Sequence, residues 1–145
     1  MIRPVVTYAC ETWNISANDA LKLRIFERNI IRKIYGAVEE NGYWRRRTNK
    51  EIDDILQKED IVRFVKAQRI RWIGHVERMN DNRISRRIYT ASMTGRRKQG
   101  RPRKRWKDEI VEDLRIVKVR GWKEKAKDRT EWRQVVRQVK AHIEL

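Results

Sequence analysis

Between Asp81 and Asp108 the chain carries no acidic side chain, and this gap constrains the fold more than any other feature. The 145 residues include 37 Lys and Arg against 20 Asp and Glu, a formal charge of +17. Clustered like charges repel one another in a compact state and attract polyanions. The gap therefore predicts a solvated cationic segment whose leading partner is a nucleic acid. An anionic membrane surface or an acidic protein is the alternative.

The centre of the gap, GRRKQGRPRKRWKDE, begins at Gly95 and holds eight Lys and Arg. Gly95, Gly100 and Pro102 oppose a helix, and the residue before a proline favours an extended backbone. We predict a basic linker over residues 91–104. It would separate an N-terminal helical part, residues 1–90, from a C-terminal helical pair, residues 105–145.

Apolar side chains recur three and four residues apart on both sides of this linker, which predicts amphipathic helices. The clearest helix covers residues 19–35, with Ser16 or Asn18 as its N-cap and Gly36 after its last turn. Residues 1–14 are rich in β-branched and aromatic side chains and predict a strand or extended segment. The sequence therefore predicts a mostly α fold of about five to six helices in one or more small bundles.

Two further local features, a capping box and a glycine, carry predictions. Thr48 and Glu51 form a capping box that starts a short helix after a loop containing Trp44. Gly74 lies inside a predicted helix, where glycine costs about 1 kcal/mol relative to alanine. We therefore expect another group to pack closely against Gly74.

No constellation of residues predicts an active site. Cys10 is the sole cysteine, and with only His75 and His142 beside it no Cys/His zinc site can be assembled. The adjacent Asp53 and Asp54 follow a helix cap, where surface solvation is the expected role. The chain has neither a P-loop nor a GxGxxG motif, so we expect no catalytic residue, metal or cofactor. Without a signal peptide or an apolar run of membrane-spanning length, we expect a nuclear or cytoplasmic protein, with the nucleus favoured.

The predicted site is a set of cations that contact phosphates, with one aromatic side chain that stacks on bases. Arg101 and Arg103 are the leading contacts, and Gly100 and Pro102 shape the loop. The core GRPRK is also shaped like an AT-hook, which would read the minor groove of A·T-rich DNA. A nuclear-import cluster and a plain solvated loop are the other interpretations. The full predicted set is Arg45, Arg46, Arg47, Arg83, Arg86, Arg87, Arg96, Arg97, Lys98, Gly100, Arg101, Pro102, Arg103, Lys104, Arg105, Lys107 and Trp44.

Several tryptophans adjoin positive charge, and aromatic side chains there can stack on bases. Trp72, Trp106 and Trp132 lie on apolar helical stripes, so we expect core packing for these three. Trp44 lies in a predicted loop and is the best stacking candidate.

Six segments in series resemble the C-terminal region of reverse transcriptases from non-LTR (LINE-type) retrotransposons. The resemblance covers nearly the whole chain. The segments are YACETW (Tyr8–Trp13), LKLRIFERNIIRKIYG (Leu21–Gly36), WRRRTNKEI (Trp44–Ile52), QRIRWIGHVERM (Gln68–Met79), GRRKQGRPRKRWKDEIVEDL (Gly95–Leu114) and AKDRTEWRQVV (Ala126–Val136).

The resemblance implies a thumb-like and post-palm helical region that grips a template–primer duplex and the element's RNA. The family's catalytic aspartates lie upstream, and no residue here matches them. We therefore expect a fragment that binds RNA, an RNA/DNA hybrid or DNA and does not catalyse. The missing upstream reverse transcriptase domain is a further expected partner. The rival interpretation is an RNA-directed DNA polymerase, the activity of the parent family.

Overall fold

The computed structural model describes residues 3–57, 59–91 and 105–141, and these residues are mostly helical, as predicted. They form eight α-helices rather than the five to six expected, because the N-terminal segment contains a short helix and the last predicted helix is divided in two. In chain order the elements are α1 (Arg3–Val6), a 3₁₀ helix (Cys10–Thr12), α2 (Ala17–Tyr35), β1 (Val38–Glu40), β2 (Tyr43–Arg45), α3 (Asn49–Ile55), α4 (Ile61–Glu77), α5 (Ile84–Thr90), α6 (Trp106–Ile116), α7 (Trp122–Lys127) and α8 (Arg129–Ala141).

Both predicted helix starts in the N-terminal half are confirmed by reciprocal capping boxes. The Asp19 amide donates to Ser16 Oγ at 3.2 Å, and the Ser16 amide donates to Asp19 Oδ2 at 3.2 Å. The Thr48 amide likewise donates to Glu51 Oε2 at 2.7 Å, and the Glu51 amide donates back to Thr48 Oγ1 at 3.3 Å. Local sequence therefore fixes where α2 and α3 begin.

The predicted N-terminal strand or extended segment instead contains α1 at Arg3–Val6 and the 3₁₀ helix at Cys10–Thr12. Thr7 Oγ1 donates to the Arg3 carbonyl at 2.8 Å, and the Trp106 indole N–H donates to the Glu11 carbonyl at 2.8 Å. A strand needs a neighbouring strand to satisfy its backbone groups. In this segment the Thr7 hydroxyl satisfies the Arg3 carbonyl, and the Trp106 indole satisfies the Glu11 carbonyl.

The predicted loop around Trp44 is a β-hairpin. Strand β1 pairs antiparallel with β2, placing Glu39 opposite Trp44. Asn41 and Gly42 make the turn with φ of 54° and 83°. Asn-Gly tolerates positive φ at both turn positions, which matches the twist of a two-residue hairpin. The second helix of the predicted C-terminal pair is divided, into α7 and α8, at Asp128.

The chain forms two compact units, called here the first unit (residues 1–8 and 15–65) and the second unit (residues 9–14 and 66–145). The first unit buries Ile52, Ile61, Val62 and Val65. It also buries Glu27, whose carboxylate accepts hydrogen bonds from the Ile61 amide and from the Arg3 guanidinium.

The second unit has the larger continuous core. Ile70 and Ile73 from α4 pack with Ile110 and Leu114 from α6 and with Trp132 from α8. These residues come from both sides of the predicted linker and share one cluster. Residues 92–104 of that linker lie outside the described residues, so the predicted division of the chain there stays a prediction.

Gly74 has the close neighbour that the sequence led us to expect. A Cβ atom at Gly74 would lie 1.9 Å from Trp132 Nε1 and 2.3 Å from its Cδ1 atom. The Trp132 indole N–H donates to the Ile70 carbonyl at 3.0 Å, which fixes the ring over the glycine. Trp132 is therefore a core residue, as predicted.

Candidate nucleic-acid interface

Much of the predicted site falls on the basic linker, outside the described residues, and for those positions the prediction stays a prediction. The positions are Arg96, Arg97, Lys98, Gly100, Arg101, Pro102, Arg103 and Lys104.

Arg45 and Trp44 lie on β2 of the first unit, where Arg45 contacts two carboxylates. Its Nη2 atom lies 2.8 Å from Glu51 Oε1, and its Nε atom contacts Glu40. The hydrogen bonds with Glu51 and then Glu40 raise the pKa of Arg45, while Arg45 and Thr48 lower the pKa of Glu51 to about 2. Arg45 thus joins the hairpin to α3. Trp44 is 72% exposed and stays a candidate for stacking.

The next two arginines also contact the first unit. Arg46 Nη2 donates to Asn29 Oδ1 at 3.2 Å. The Arg47 carbonyl accepts from Arg32 Nε at 3.0 Å, and within the described residues the buried Arg47 Nε atom has no acceptor. Arg46 remains exposed and Arg47 is half-buried.

In the second unit the structure brings two predicted cations together at Tyr89. Lys107 Nζ lies 4.6 Å and Arg86 Cζ 5.7 Å from the centre of the Tyr89 ring. Arg86 also pairs with Glu77, which accepts a hydrogen bond from the Tyr89 hydroxyl at 2.7 Å. Burial acts to raise the pKa of Glu77, but its bonds with Arg86 and Tyr89 outweigh burial and lower that pKa. Arg86 is therefore largely committed to Glu77.

The remaining predicted cations of the second unit, Arg83, Arg87 and Arg105, are exposed. Arg83 and Arg105 precede α5 and α6 at the N-cap position. All three are available to phosphates, but the described contacts do not join them into one surface.

A cationic groove that the sequence prediction did not include lies in the second unit between α4 and α8. The groove has a volume of about 370 Å³. Trp132 and Val136 contribute apolar surface to it. The polar residues of this α4–α8 groove are Gln68, Arg71, Arg78, Arg129, Arg133, Arg137 and Lys140.

The cations of the α4–α8 groove lack carboxylate partners among the residues that the structure describes. Arg78 Nη1 donates to the Ala126 carbonyl, and the other five form no described ion pair or side-chain hydrogen bond. Burial and the nearby positive charge of Arg129 lower the pKa of Arg78. A guanidinium nevertheless keeps its charge at neutral pH. The groove therefore gathers six positive charges, of which five belong to exposed side chains and one to the half-buried Arg78.

The sequence signal for this groove is the spacing of like charges on α8. Arg129, Arg133 and Arg137 recur every four residues, so they share one face of the helix. Like charges at this spacing destabilise an isolated helix by a few tenths of a kcal/mol per pair. That cost is removed when an anion lies along the face.

The chemistry available to the groove is anion binding. Guanidinium groups donate two parallel hydrogen bonds to phosphate oxygens, a geometry that suits nucleic-acid backbones. Within the described ranges, no three His, Cys, Asp or Glu side chains are placed to share a metal ion. No helix in those ranges has the length and apolarity needed to cross a membrane.

The chain is similar to a protein of Caenorhabditis elegans that is described as transposon-derived. The two are 28% identical over 148 positions, which cover 94% of this chain. The chain spans about half the length of that relative, 51%. No protein-family model matches the chain, and no solved structure matches it.

Proposed function

We propose that this chain is a nucleic-acid-binding segment of transposon origin that binds RNA or DNA mainly through its phosphates. Similarity over 94% of the chain to a transposon-derived protein supports the origin. The observation that carries the binding function is the α4–α8 groove, where six cations share one surface without described carboxylate partners.

The finer proposal follows the six segments that resemble non-LTR retrotransposon reverse transcriptases. The chain would act as the post-palm part of such an enzyme, holding the nucleic acid while an upstream domain performs synthesis. Its own role is binding without catalysis, within the nucleus or cytoplasm. The cations of the basic linker, including Arg101 and Arg103, remain predicted phosphate contacts in this proposal on the strength of their charge alone.

The mechanism is the release of counterions from the nucleic acid as cations neutralise phosphates. Each neutralised phosphate contributes about −0.7 to the slope of log K against log salt for a single strand. The contribution is about −0.9 for duplex DNA. Three α8 arginines are therefore expected to account for about −2 of the slope on single-stranded RNA.

The test is a fluorescence-anisotropy titration of the 145-residue chain with a labelled 20-nucleotide RNA across a salt series. Replacing Arg129, Arg133 and Arg137 together by Gln is expected to weaken binding about tenfold or more at low salt. The salt dependence should become shallower by about 2.

A matched control removes the same charge from the first unit. Lys22, Lys33 and Lys50 are exposed on α2 and α3, and replacing all three by Gln should leave most of the affinity and slope intact. Equal losses in both triple variants would mean that net charge alone drives binding and would overturn the groove assignment. Binding to anionic vesicles but not to RNA would overturn the function itself, and nucleotide incorporation in a primer-extension assay would overturn the non-catalytic role.

A further inference from the structure

Beside the α4–α8 groove the second unit has a recess of about 550 Å³ that contains two exposed or half-exposed rings. These rings are Trp72 and His75 of α4, whose centroids are 5.3 Å apart with planes tilted by 47°. The recess, called here the Trp72 recess, also includes Glu11. It shares four residues with the groove: Gln68, Arg71, Arg78 and Arg129.

The environment of Trp72 differs from that of the other tryptophans on apolar stripes. Trp132 is 2% exposed and its indole N–H bonds to Ile70, while the Trp106 indole N–H bonds to Glu11. Trp72 is half-buried, and among the described residues no acceptor engages its indole N–H. A large ring at the surface is available to a ligand.

The placement of Trp72 next to the cations follows from helix geometry. Gln68, Arg71, Trp72 and His75 are separated by three, one and three residues, so they lie along one side of α4. Arg129, the first residue of α8, also lines the recess. The recess therefore combines a flat apolar ring with guanidinium groups that belong to the phosphate-binding groove.

We infer that the Trp72 recess holds an unpaired nucleotide, with its base stacked on Trp72 and its phosphate bound by Arg71, Arg78 and Arg129. The ligand class is then single-stranded RNA or DNA rather than a duplex, because paired bases keep their faces inside the stack. The Glu11 carboxylate is the acid among the described lining residues, and it repels a phosphate at its side of the recess. This inference rests on the proposed nucleic-acid binding of the groove.

The experiment compares a labelled 12-nucleotide single strand with a blunt hairpin duplex that carries the same number of phosphates. Trp72→Leu keeps apolar packing and removes the aromatic face, whereas Trp72→Phe keeps a ring. We expect Trp72→Leu to weaken single-strand binding about tenfold and duplex binding less than twofold, with most of the single-strand affinity retained in Trp72→Phe. The salt slope should be unchanged in both variants, since neither alters a charge.

Three results separate the inference from the function on which it rests. If Trp72→Leu weakens both ligands equally, or if the unmodified chain prefers the duplex, the inference is overturned. If the inference about Trp72 is overturned but the α8 arginine variant still loses affinity, the proposed phosphate-binding function remains valid without it. If neither set of variants changes binding, both proposals fail. Thermal melts by circular dichroism confirm that each variant is folded. If Trp72→Leu is unstable, the preference of the unmodified chain for the single strand or the duplex still decides the inference.

Discussion

The first unit and the α4–α8 groove use arginine in opposite ways. In the first unit Arg3 pairs with Glu27 at 2.6 Å, and Arg28 pairs with Asp53 at 2.9 Å. These arginines connect separate elements of the unit. In the groove, Arg133 and Arg137 of α8 have no such partner in the described part of the chain.

This contrast shows why counting cations does not locate a binding site in a chain of charge +17. An arginine that already donates to a carboxylate must give up that contact before it can bind phosphate. An arginine held near other cations gains from an anion without any such exchange. The partners of each guanidinium therefore distinguish structural from ligand-binding positions.

The second unit also contains paired arginine, and its most buried pair provides the largest expected effect. Arg69 Nη2 lies 2.8 Å from Glu109 Oε2, with side chains 1% and 13% exposed. Glu109→Gln leaves a buried guanidinium without its counter-charge, which is expected to lower the free energy of unfolding by about 3–5 kcal/mol. Urea unfolding followed by tryptophan fluorescence measures the change.

The matched control is Asp53→Asn in the first unit. Arg28 and Asp53 are 25% and 42% exposed, and an exposed pair contributes about 0–1 kcal/mol. Far-UV circular dichroism follows this variant, because Trp44 is the single tryptophan of the first unit. Equal losses in the two variants would contradict the view that burial, rather than pairing alone, decides the role of an ion pair.

Two glycines offer a second and smaller contrast between the units. Gly74→Ala must displace the Trp132 ring, and overpacking of this kind costs about 1–3 kcal/mol despite the better helix propensity of alanine. Tryptophan fluorescence in urea detects the loss, together with weaker RNA binding because Trp132 also lines the groove.

Gly42→Ala is the comparison in the first unit. Nothing lies within 4 Å of the added Cβ, so the cost comes only from a φ of +83°. Left-handed backbone costs a residue with a side chain about 1–2 kcal/mol, and RNA binding should not change. A stable Gly74→Ala variant with normal RNA binding would contradict the described contact.

Local features of the sequence predict most of the helices but not the groove. The capping residues Ser16 and Thr48 act on amides three residues away, so their effect is visible in sequence. The Asn41-Gly42 turn carried a similar local signal and was missed because the strands beside it are only three residues long.

The groove depends on α4 and α8 meeting across more than 50 residues, which no local pattern reports. The sequence prediction included Arg45 among the phosphate contacts and left Arg133 out. Only the fold places Glu51 beside Arg45 and leaves Arg133 among other cations. The sequence prediction placed the phosphate-binding site on the basic linker because the charges there are close together in sequence. The charges of the groove are spread along two helices.

Giving the groove a carboxylate tests the comparison between the two regions most directly, with the smallest effect on stability. Gln68 lies three residues before Arg71 on α4, so Gln68→Glu creates the kind of pairing found in the first unit. An acid three residues before an arginine stabilises a helix by about 0.2–0.5 kcal/mol. The same carboxylate competes with phosphate, so RNA affinity should fall roughly threefold to tenfold.

Asn18→Asp in the first turn of α2 provides the control for this last change. It alters the net charge by the same amount and also favours its helix by a few tenths of a kcal/mol. Asn18 belongs to the first unit and is not one of the groove residues, so we expect unchanged RNA binding. Anisotropy titrations and urea unfolding of both variants then separate a local partner from a change in total charge. Suppose that Gln68→Glu gains stability and its RNA affinity equals that of Asn18→Asp. The lack of a carboxylate partner would then not distinguish the arginines that bind the ligand.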